Sequence, residues 1–306
     1  MTPRPSSLAR LQQCLILSLL AGAGAWLVWF WGRSPWIALG GFFAIGAGYS
    51  GALAIEFLAL RRVNLGEPVP QARWFALARA WIAETSQAPR VFGWRQPFRW
   101  NAVPDRLEVR AGVQGRRGVV FIHGFICNRG FWTPWLRRLS GSGHPFVAVN
   151  LEPVFGPIDN YAPIIDEAVT AITLATGLPP VLVCHSMGGL AARAWLRAGP
   201  NPVRVHHVVT IGAPHRGTWL ARWSRLANGR QMALGSQWLA QLEADSAAQP
   251  QPRFTCWFSN CDNVVFPSST ATLPDADNRL VVGAAHVELA FHPRVMAETL
   301  ALLDRS

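Results

Sequence analysis

Hydrophobic and polar residues divide the chain into an apolar N-terminal part and a longer mixed part. Residues 11–31 contain no charged side chain, and residues 34–55 form a second uncharged run. At 1.5 Å per residue, either run is long enough to cross about 30 Å of hydrocarbon as a helix. The pattern predicts an N-terminal membrane hairpin over residues 1–64, with spans at about 11–31 and 35–60.

Arginine positions give this hairpin an orientation. Two arginines precede the first span, Arg33 stands in the turn, and four arginines follow the second span within residues 61–79. By the positive-inside rule, both ends of the hairpin and the rest of the chain are expected on the cytoplasmic side of a bacterial inner membrane, as a multi-pass protein. A cleaved signal peptide fits less well, because more apolar sequence follows the small residues AGAGA. A buried pair of soluble helices is the other interpretation.

Residues 65–106 are interpreted as an amphipathic helix followed by a linker. Within them, residues 70–88 carry apolar side chains at a spacing of three to four, which is typical of one helix face. Such a helix can lie in the membrane interface or pack on the part of the chain that follows, and the sequence leaves both open. The apolar positions are Trp74, Leu77, Ala78, Trp81 and Ile82.

From about residue 107, short apolar runs alternate with stretches of helical periodicity. Apolar strands separated by helices indicate a parallel sheet covered on both faces. The predicted fold class is therefore α/β, with a doubly wound, mainly parallel sheet over residues 107–306 preceded by the two-helix transmembrane hairpin. The apolar runs are GVVFI (118–122), FVAVN (146–150), VLVC (181–184), HVVTI (207–211), RFTCWFS (253–259) and RLVVGA (279–284).

Charge and cysteine content narrow the function classes. The net charge of +11 comes from 28 basic residues, all arginine, which are scattered rather than clustered into a basic face. Nucleic acid is therefore not an expected partner. The five cysteines suggest no disulfide framework and contain no C-x-x-C pair, so no metal or cofactor is expected. Cys256 and Cys261 are predicted to be thiols, because the predicted topology places them in a reducing compartment.

A serine follows the apolar run VLVC at the point where the pattern changes to a helix. A nucleophilic serine needs such a sharp strand-to-helix turn, usually written G-x-S-x-G, to present its hydroxyl above the sheet. Here the serine is Ser186, preceded by His185 and followed by Gly188, while Cys184 stands at the first glycine position. The alternative is a serine that caps an ordinary helix.

The first strong apolar run ends in His123-Gly124-Phe125. In this arrangement the turn supplies one backbone N–H of an oxyanion hole, and the residue after the nucleophile supplies the other. The predicted donors are the amides of Phe125 and Met187. We expect His123 to hold the loop in shape rather than to transfer protons.

A base and an acid must follow the nucleophile along the chain. His286 comes just after the last apolar run, and Asp262 follows the run before it, 24 residues earlier. An aspartate there would hold the imidazole in the correct tautomer. Asp275 and Asp277 are rival acids in a polar loop. The other histidines after Ser186 are His206, His207, His215 and His292.

The order of these motifs resembles the α/β-hydrolase superfamily, and within it the bacterial triacylglycerol lipases and related membrane-attached esterase/lipase proteins. The resemblance implies Ser186 as nucleophile, Asp262 as acid and His286 as base, acting on an ester. The hairpin has no counterpart in the secreted members, and no acidic pair matches the calcium site that some of them hold. The blocks are His123-Gly124-Phe125, CHSMGGLAAR, IGAPHRGT, SNCDNVVFP and GAAHVEL.

The segment between the fourth and fifth apolar runs is longer than a plain crossover and rich in large apolar residues. We interpret residues 215–252 as a cap over an acyl pocket, with a crossover helix as the alternative. The predicted function is hydrolysis of lipid or acyl esters through an acyl-enzyme, with an acyl-ester substrate and membrane lipid as partners. The sequence does not decide between esterase, thioesterase, acyltransferase and amidase activities, nor does it fix the oligomeric state. A non-catalytic membrane-anchored scaffold is the alternative function.

Overall fold

The computed structural model describes residues 6–107, 115–199 and 202–304. Its strands are β1 (Val119–Ile122), β2 (Phe146–Ala148), β3 (Val181–His185), β4 (His207–Ile211), β5 (Arg253–Phe258) and β6 (Asp277–Leu280). Its α-helices are α1 (Ser7–Trp31), α2 (Pro35–Ala47), α3 (Tyr49–Val63), α4 (Trp74–Ala88), α5 (Gln96–Phe98), α6 (Thr133–Ser140), α7 (Ala162–Thr176), α8 (Met187–Arg197), α9 (Ala227–Gln231), α10 (Gln237–Ala247), α11 (His286–Ala290) and α12 (Pro293–Leu300).

The six strands form one parallel sheet in the order β2-β1-β3-β4-β5-β6. Successive residues of a strand point to opposite faces, so apolar strands bury both. Val120 and Leu182 pack with α7, α8 and α10 on one face, while Phe121 and Val183 pack with α6, α11 and α12 on the other. The predicted α/β class with a parallel, doubly covered sheet is confirmed. Because all strands run the same way, their carboxyl ends meet along one edge, called here the carboxyl edge.

The last strand differs from its prediction. The apolar run at 279–284 suggested a strand there, but β6 pairs with β5 over Asp277–Leu280. The chain turns away soon afterwards, where Val282 is 63% exposed and Gly283 takes a φ of 84°. β6 lies at the end of the sheet, where one side needs no apolar side chains, so polar Asp277 and Asn278 are tolerated.

The N-terminal helices begin with one long apolar helix. In α1, the Ser6 hydroxyl caps the first turn by accepting from the N–H of Ala9 at 3.1 Å. α1 then pairs with α2, and the Trp26 indole donates to the carbonyl of Ile37 at 3.1 Å. By length and composition, α1 is the one described helix that could cross a membrane as a single straight segment.

The second predicted span, at about 35–60, is not a straight helix. It consists of α2 and α3, whose axes are bent by 51° at a break beside Gly48. Only the two helices together are long and apolar enough to cross a membrane. Glycines favour such bends, and beyond the bend Phe57 and Leu60 of α3 pack in one cluster with Phe266 and Ala285. The multi-pass arrangement predicted from run length is therefore not supported.

The predicted amphipathic helix is α4, and it packs on the sheet side of the molecule. Leu77 and Ala80 lie in one buried cluster with α3 and with Phe266 from the loop after β5. The opposite side of α4 leaves Phe75 and Ile82 exposed, and Trp74 in the first turn is exposed beside Arg61 of α3. The buried face of α4 therefore packs on the following part of the chain, which is one of the two alternatives left open by the sequence. The exposed apolar side chains leave the outer face free to lie in a membrane interface.

Candidate active site

Ser186 stands on a sharp turn between β3 and α8. Its backbone adopts φ 54° and ψ −128°, a strained conformation for a residue that carries a side chain. The turn fits tightly against the end of β1, because a Cβ on Gly188 would lie 2.4 Å from the carbonyl oxygen of Ile122. The serine is therefore not an ordinary helix cap: its hydroxyl makes no cap hydrogen bond to α8.

Asp262 and His286 meet at the carboxyl edge, where the sequence placed them. The Nδ1 atom of His286 lies 2.9 Å from both carboxylate oxygens of Asp262. The same carboxylate accepts the N–H groups of Val264 at 3.0 Å and Val265 at 2.8 Å, which fixes the turn after β5. An aspartate held in this way keeps the proton on Nδ1 and leaves Nε2 as the basic nitrogen.

The rival acids and histidines lie elsewhere. Asp275 is exposed, and Asp277 forms an ion pair with Arg279 on the edge strand. His207 hydrogen-bonds Thr255 across two strands, at 2.8 Å. His215 contacts the Thr210 hydroxyl at 3.0 Å in the buried space below the sheet edge. These groups serve structural contacts, so Asp262 and His286 remain the joined pair.

The loop after β1 lies beside the serine. A Cβ on Gly124 would come 2.8 Å from the Cβ of Ser186, so only glycine lets the loop approach this closely. In the described part of the chain, the backbone N–H groups of Phe125 and Met187 donate to no protein acceptor. Two unpaired amide donors beside a serine are what a developing oxyanion requires.

His123 holds this loop in a defined shape. Its Nε2 accepts the N–H of Leu151 at 3.1 Å, so its proton is on Nδ1, which lies 2.9 Å from the carbonyl of Gly124. Burial lowers the pKa of His123 to about 4, which keeps the ring neutral.

His185 precedes the serine directly. Its ring stacks on the Phe131 ring, with 4.4 Å between ring centroids, and its centroid lies 4.5 Å from that of the His286 ring.

The sequence model of the alpha/beta hydrolase family matches residues 119–301. The match covers the sheet and every residue of the site described above. The chain belongs to the alpha/beta hydrolase family. No curated protein matches the chain.

Solved structures similar to this hydrolase include two lipases. Lipase BlEst2 of Bacillus licheniformis, in its mature form, is 16% identical, with a TM-score of 0.57, over 64% of this chain and 95% of that one. Lipase B of Aspergillus fumigatus is 17% identical, with a TM-score of 0.55, over 65% of this chain and 55% of that one. At such identities the likeness shows the shared fold.

The hydrolase departs from the usual elbow at Cys184. This residue is fully buried on β3, where it pairs with Ile122 of β1 and Thr210 of β4 and packs in the core beneath the sheet. Met187 and Leu190 of α8 lie in the same buried cluster. The core thus accommodates a cysteine side chain at the position where the usual elbow has a glycine.

The Ser186 hydroxyl makes no hydrogen bond to His286 among the described residues. In hydrolases without substrate, catalytic hydrogen bonds are often long and shorten when substrate binds. Burial lowers the pKa of His286, but the negative charges of Asp262, Glu84 and Glu56 outweigh burial and raise its pKa above the usual value.

The cap predicted at about 215–252 consists of two different pieces. α10 packs on α8 through Leu239 and Leu242, as a crossover helix does. Residues 219–236 instead cross the carboxyl edge, where Asn228 donates to the carbonyl of Val154 after β2 at 2.9 Å. At its other end the N–H of Trp219 donates to the carbonyl of Phe266 at 2.8 Å. This segment, rather than the whole predicted range, runs along the carboxyl edge.

Sequence reasoning missed three polar side chains beside the base. Asn263 accepts the N–H of His286 at 3.3 Å, and Glu84 accepts that of Val287. Glu56 in turn accepts from Asn263. The asparagines around Asp262 were a visible signal, but the two glutamates lie more than 170 residues earlier in apolar helices. Within the described ranges, no group of three or more His, Cys, Asp or Glu residues could hold a metal ion. Cys256 and Cys261 are free, buried thiols.

Proposed function

We propose that this protein is a membrane-anchored serine hydrolase that cleaves carboxylic esters of lipids. The observation that carries the proposal is the convergence at the carboxyl edge of a strained Ser186, an Asp262–His286 pair and two unpaired backbone amides. Each element alone occurs in ordinary proteins. Together they meet the requirements of acyl transfer by a nucleophile, a base, an orienting acid and an oxyanion hole.

The proposed reaction has two halves. Nε2 of His286 takes the Ser186 proton while the hydroxyl oxygen attacks the ester carbonyl, and the amides of Phe125 and Met187 hold the oxyanion. The C–O bond to the alcohol then breaks, and the alcohol leaves with the proton from His286. Water, deprotonated by the same imidazole, hydrolyses the acyl-enzyme, releasing the carboxylic acid and restoring Ser186.

A lipid substrate is favoured by the surroundings of the site. α1 is apolar enough to anchor the protein, and its first turn is tied to the carboxyl edge, where Ser7 donates to Glu152 at 2.7 Å. Phe125 and Phe155 form an edge-to-face pair beside the oxyanion loop, and Trp223 in the segment above the edge is 62% exposed. Apolar groups at the mouth of a site near a membrane favour acyl chains.

Ester hydrolysis by the detergent-purified full chain tests the proposal, with acyl groups from short to long. Ser186→Ala should lower kcat by at least about 10⁴-fold, because it removes the nucleophile. The fold should be kept, since alanine can occupy the same backbone conformation, and circular dichroism checks this. A rate that rises with acyl length and at an emulsion interface identifies a lipase. A rate confined to short soluble esters identifies an esterase.

The alternative is a hydrolase fold kept as a non-catalytic scaffold. A fluorophosphonate probe separates the two, because it labels only an activated serine. Labelling of the parent protein and none of Ser186→Ala supports the enzyme. Equal labelling of both, or no Ser186-dependent hydrolysis of any ester, rejects it.

A further inference from the structure

The turn that carries His286 is held from outside the sheet by α4. The N–H of Val287 donates to both carboxylate oxygens of Glu84, at 3.2 and 3.1 Å. On the same helix, Arg79 donates to the carbonyl of Gly283 at 2.7 Å. One N-terminal helix therefore binds the backbone both before and after His286.

A second contact to this turn comes from α3. The Glu56 carboxylate accepts the side-chain amide of Asn263 at 2.7 Å, and the carbonyl oxygen of that amide accepts the N–H of His286 at 3.3 Å. Asn263 follows Asp262 directly in the chain. α3 thus reaches the acid's turn and the base through one asparagine.

Glu84 is an unusual residue for a merely structural contact. Its side chain is almost fully buried, and in the described part of the chain no arginine forms an ion pair with it. Burial raises the pKa of Glu84 to about 7. An isolated buried carboxylate is costly, and a neutral amide could accept the same N–H without that cost. The charge itself therefore calls for a role.

We propose that Glu84 is a positioning residue for His286, and that α4 is thereby part of the catalytic unit. The proposal rests on the function proposed above. Glu84 fixes the backbone next to His286 through the Val287 N–H, and its negative charge acts on the imidazole through space. That charge stabilises the imidazolium formed when His286 takes the Ser186 proton.

The pH dependence of activity reports this charge. His286 must be neutral to act as a base, and Glu84 helps to raise its pKa. Removing the charge should lower the pKa of His286 over the range above about pH 7, where Glu84 is ionised in the parent, so the enzyme should stay active to lower pH. The titratable and charged groups around Glu84 are His286, Asp262, Cys261, Glu56, Tyr49, Glu288 and Arg79.

Two substitutions in the full chain separate the charge from the hydrogen bond. Glu84→Gln keeps an acceptor for the Val287 N–H but removes the charge that stabilises the imidazolium, so kcat at the pH optimum should fall, by less than about tenfold. The acid limb of kcat/KM should move to lower pH by about one unit. Glu84→Ala removes both, and kcat should fall about 10- to 100-fold with KM unchanged. Glu298→Gln on α12 is the control, because Glu298 pairs with Arg279 and Arg294 and not with the site.

The rate at which a fluorophosphonate labels Ser186 can be measured as a function of pH. It should show the same acid limb as kcat/KM, without requiring turnover of a substrate. A shifted limb for Glu84→Gln, absent in Glu298→Gln, supports the proposal. A Glu84→Gln profile that superimposes on the parent's overturns it, even if Glu84→Ala unfolds. Loss of all Ser186-dependent activity in the parent is a different result, which rejects the proposed function itself.

Discussion

Ser186 and His286 stand at the same edge of the sheet but are held there by contacts of different range. The serine turn is fixed by small residues near it in sequence or on the neighbouring strand, chiefly Gly188 and Gly124. The histidine turn is fixed by side chains about 200 residues away in the N-terminal helices. The position of Ser186 therefore depends on the sheet and its adjoining turns, whereas the position of His286 depends also on the N-terminal helices.

The largest effect should come from the acid that orients the base. Asp262→Asn should lower kcat by about 10⁴-fold, because an asparagine can present its N–H₂ to the ring and favour the wrong tautomer. The variant should stay folded, since its carbonyl oxygen can still accept the N–H of Val265. Steady-state kinetics with a thermal melt measures both. A kcat within tenfold of the parent would mean that Asp262 is not the orienting acid.

A smaller effect should come from breaking the close contact behind the serine. Gly188→Ala places a methyl group 2.4 Å from the Ile122 carbonyl oxygen, so backbone must move. We expect the free energy of unfolding to fall by about 1–3 kcal/mol and kcat to fall at least about 100-fold. Urea unfolding and ester hydrolysis measure the two effects.

Gly141→Ala is the matched control for this variant, because Gly141 ends α6 with a right-handed φ of −92° and has open space around its Cβ position. Its stability should change by no more than about 0.5 kcal/mol. Equal behaviour of the two alanine variants would contradict the tight elbow.

The smallest effect should come from the departure at Cys184. Because its side chain fills the core below the turn, Cys184→Ala should cost about 1–2 kcal/mol of stability through a small cavity. It should leave kcat near the parent value, since the side chain is fully buried in the core cluster. A large loss of kcat with unchanged stability would place Cys184 in the active site instead.

The site residues that could be predicted from sequence are those fixed by local pattern. VLVC followed by Ser186 and glycines specifies a buried strand, a turn and a helix, because each step depends on adjacent residues. Both ends of β6 were predicted too far along the chain, because an edge strand can begin with polar residues such as Asp277 and Asn278. Glu84 could not be found, because a lone glutamate in a helix shows its partner only when the chain is folded. The bend between α2 and α3 was missed although the sequence carries a signal for it, since Gly48 stands at the break.

The contacts of α4 with the His286 turn limit where the chain can be truncated, or joined to another protein, without loss of activity. A fragment that starts at the sheet could retain the hydrolase fold and still be a poor enzyme, because Arg79 and Glu84 would be gone from behind the base. Soluble variants made by deleting the apolar helices should therefore begin before α4, not after it. For the same reason, the two parts of the chain are expected to be inherited together, with a change in one compensated in the other.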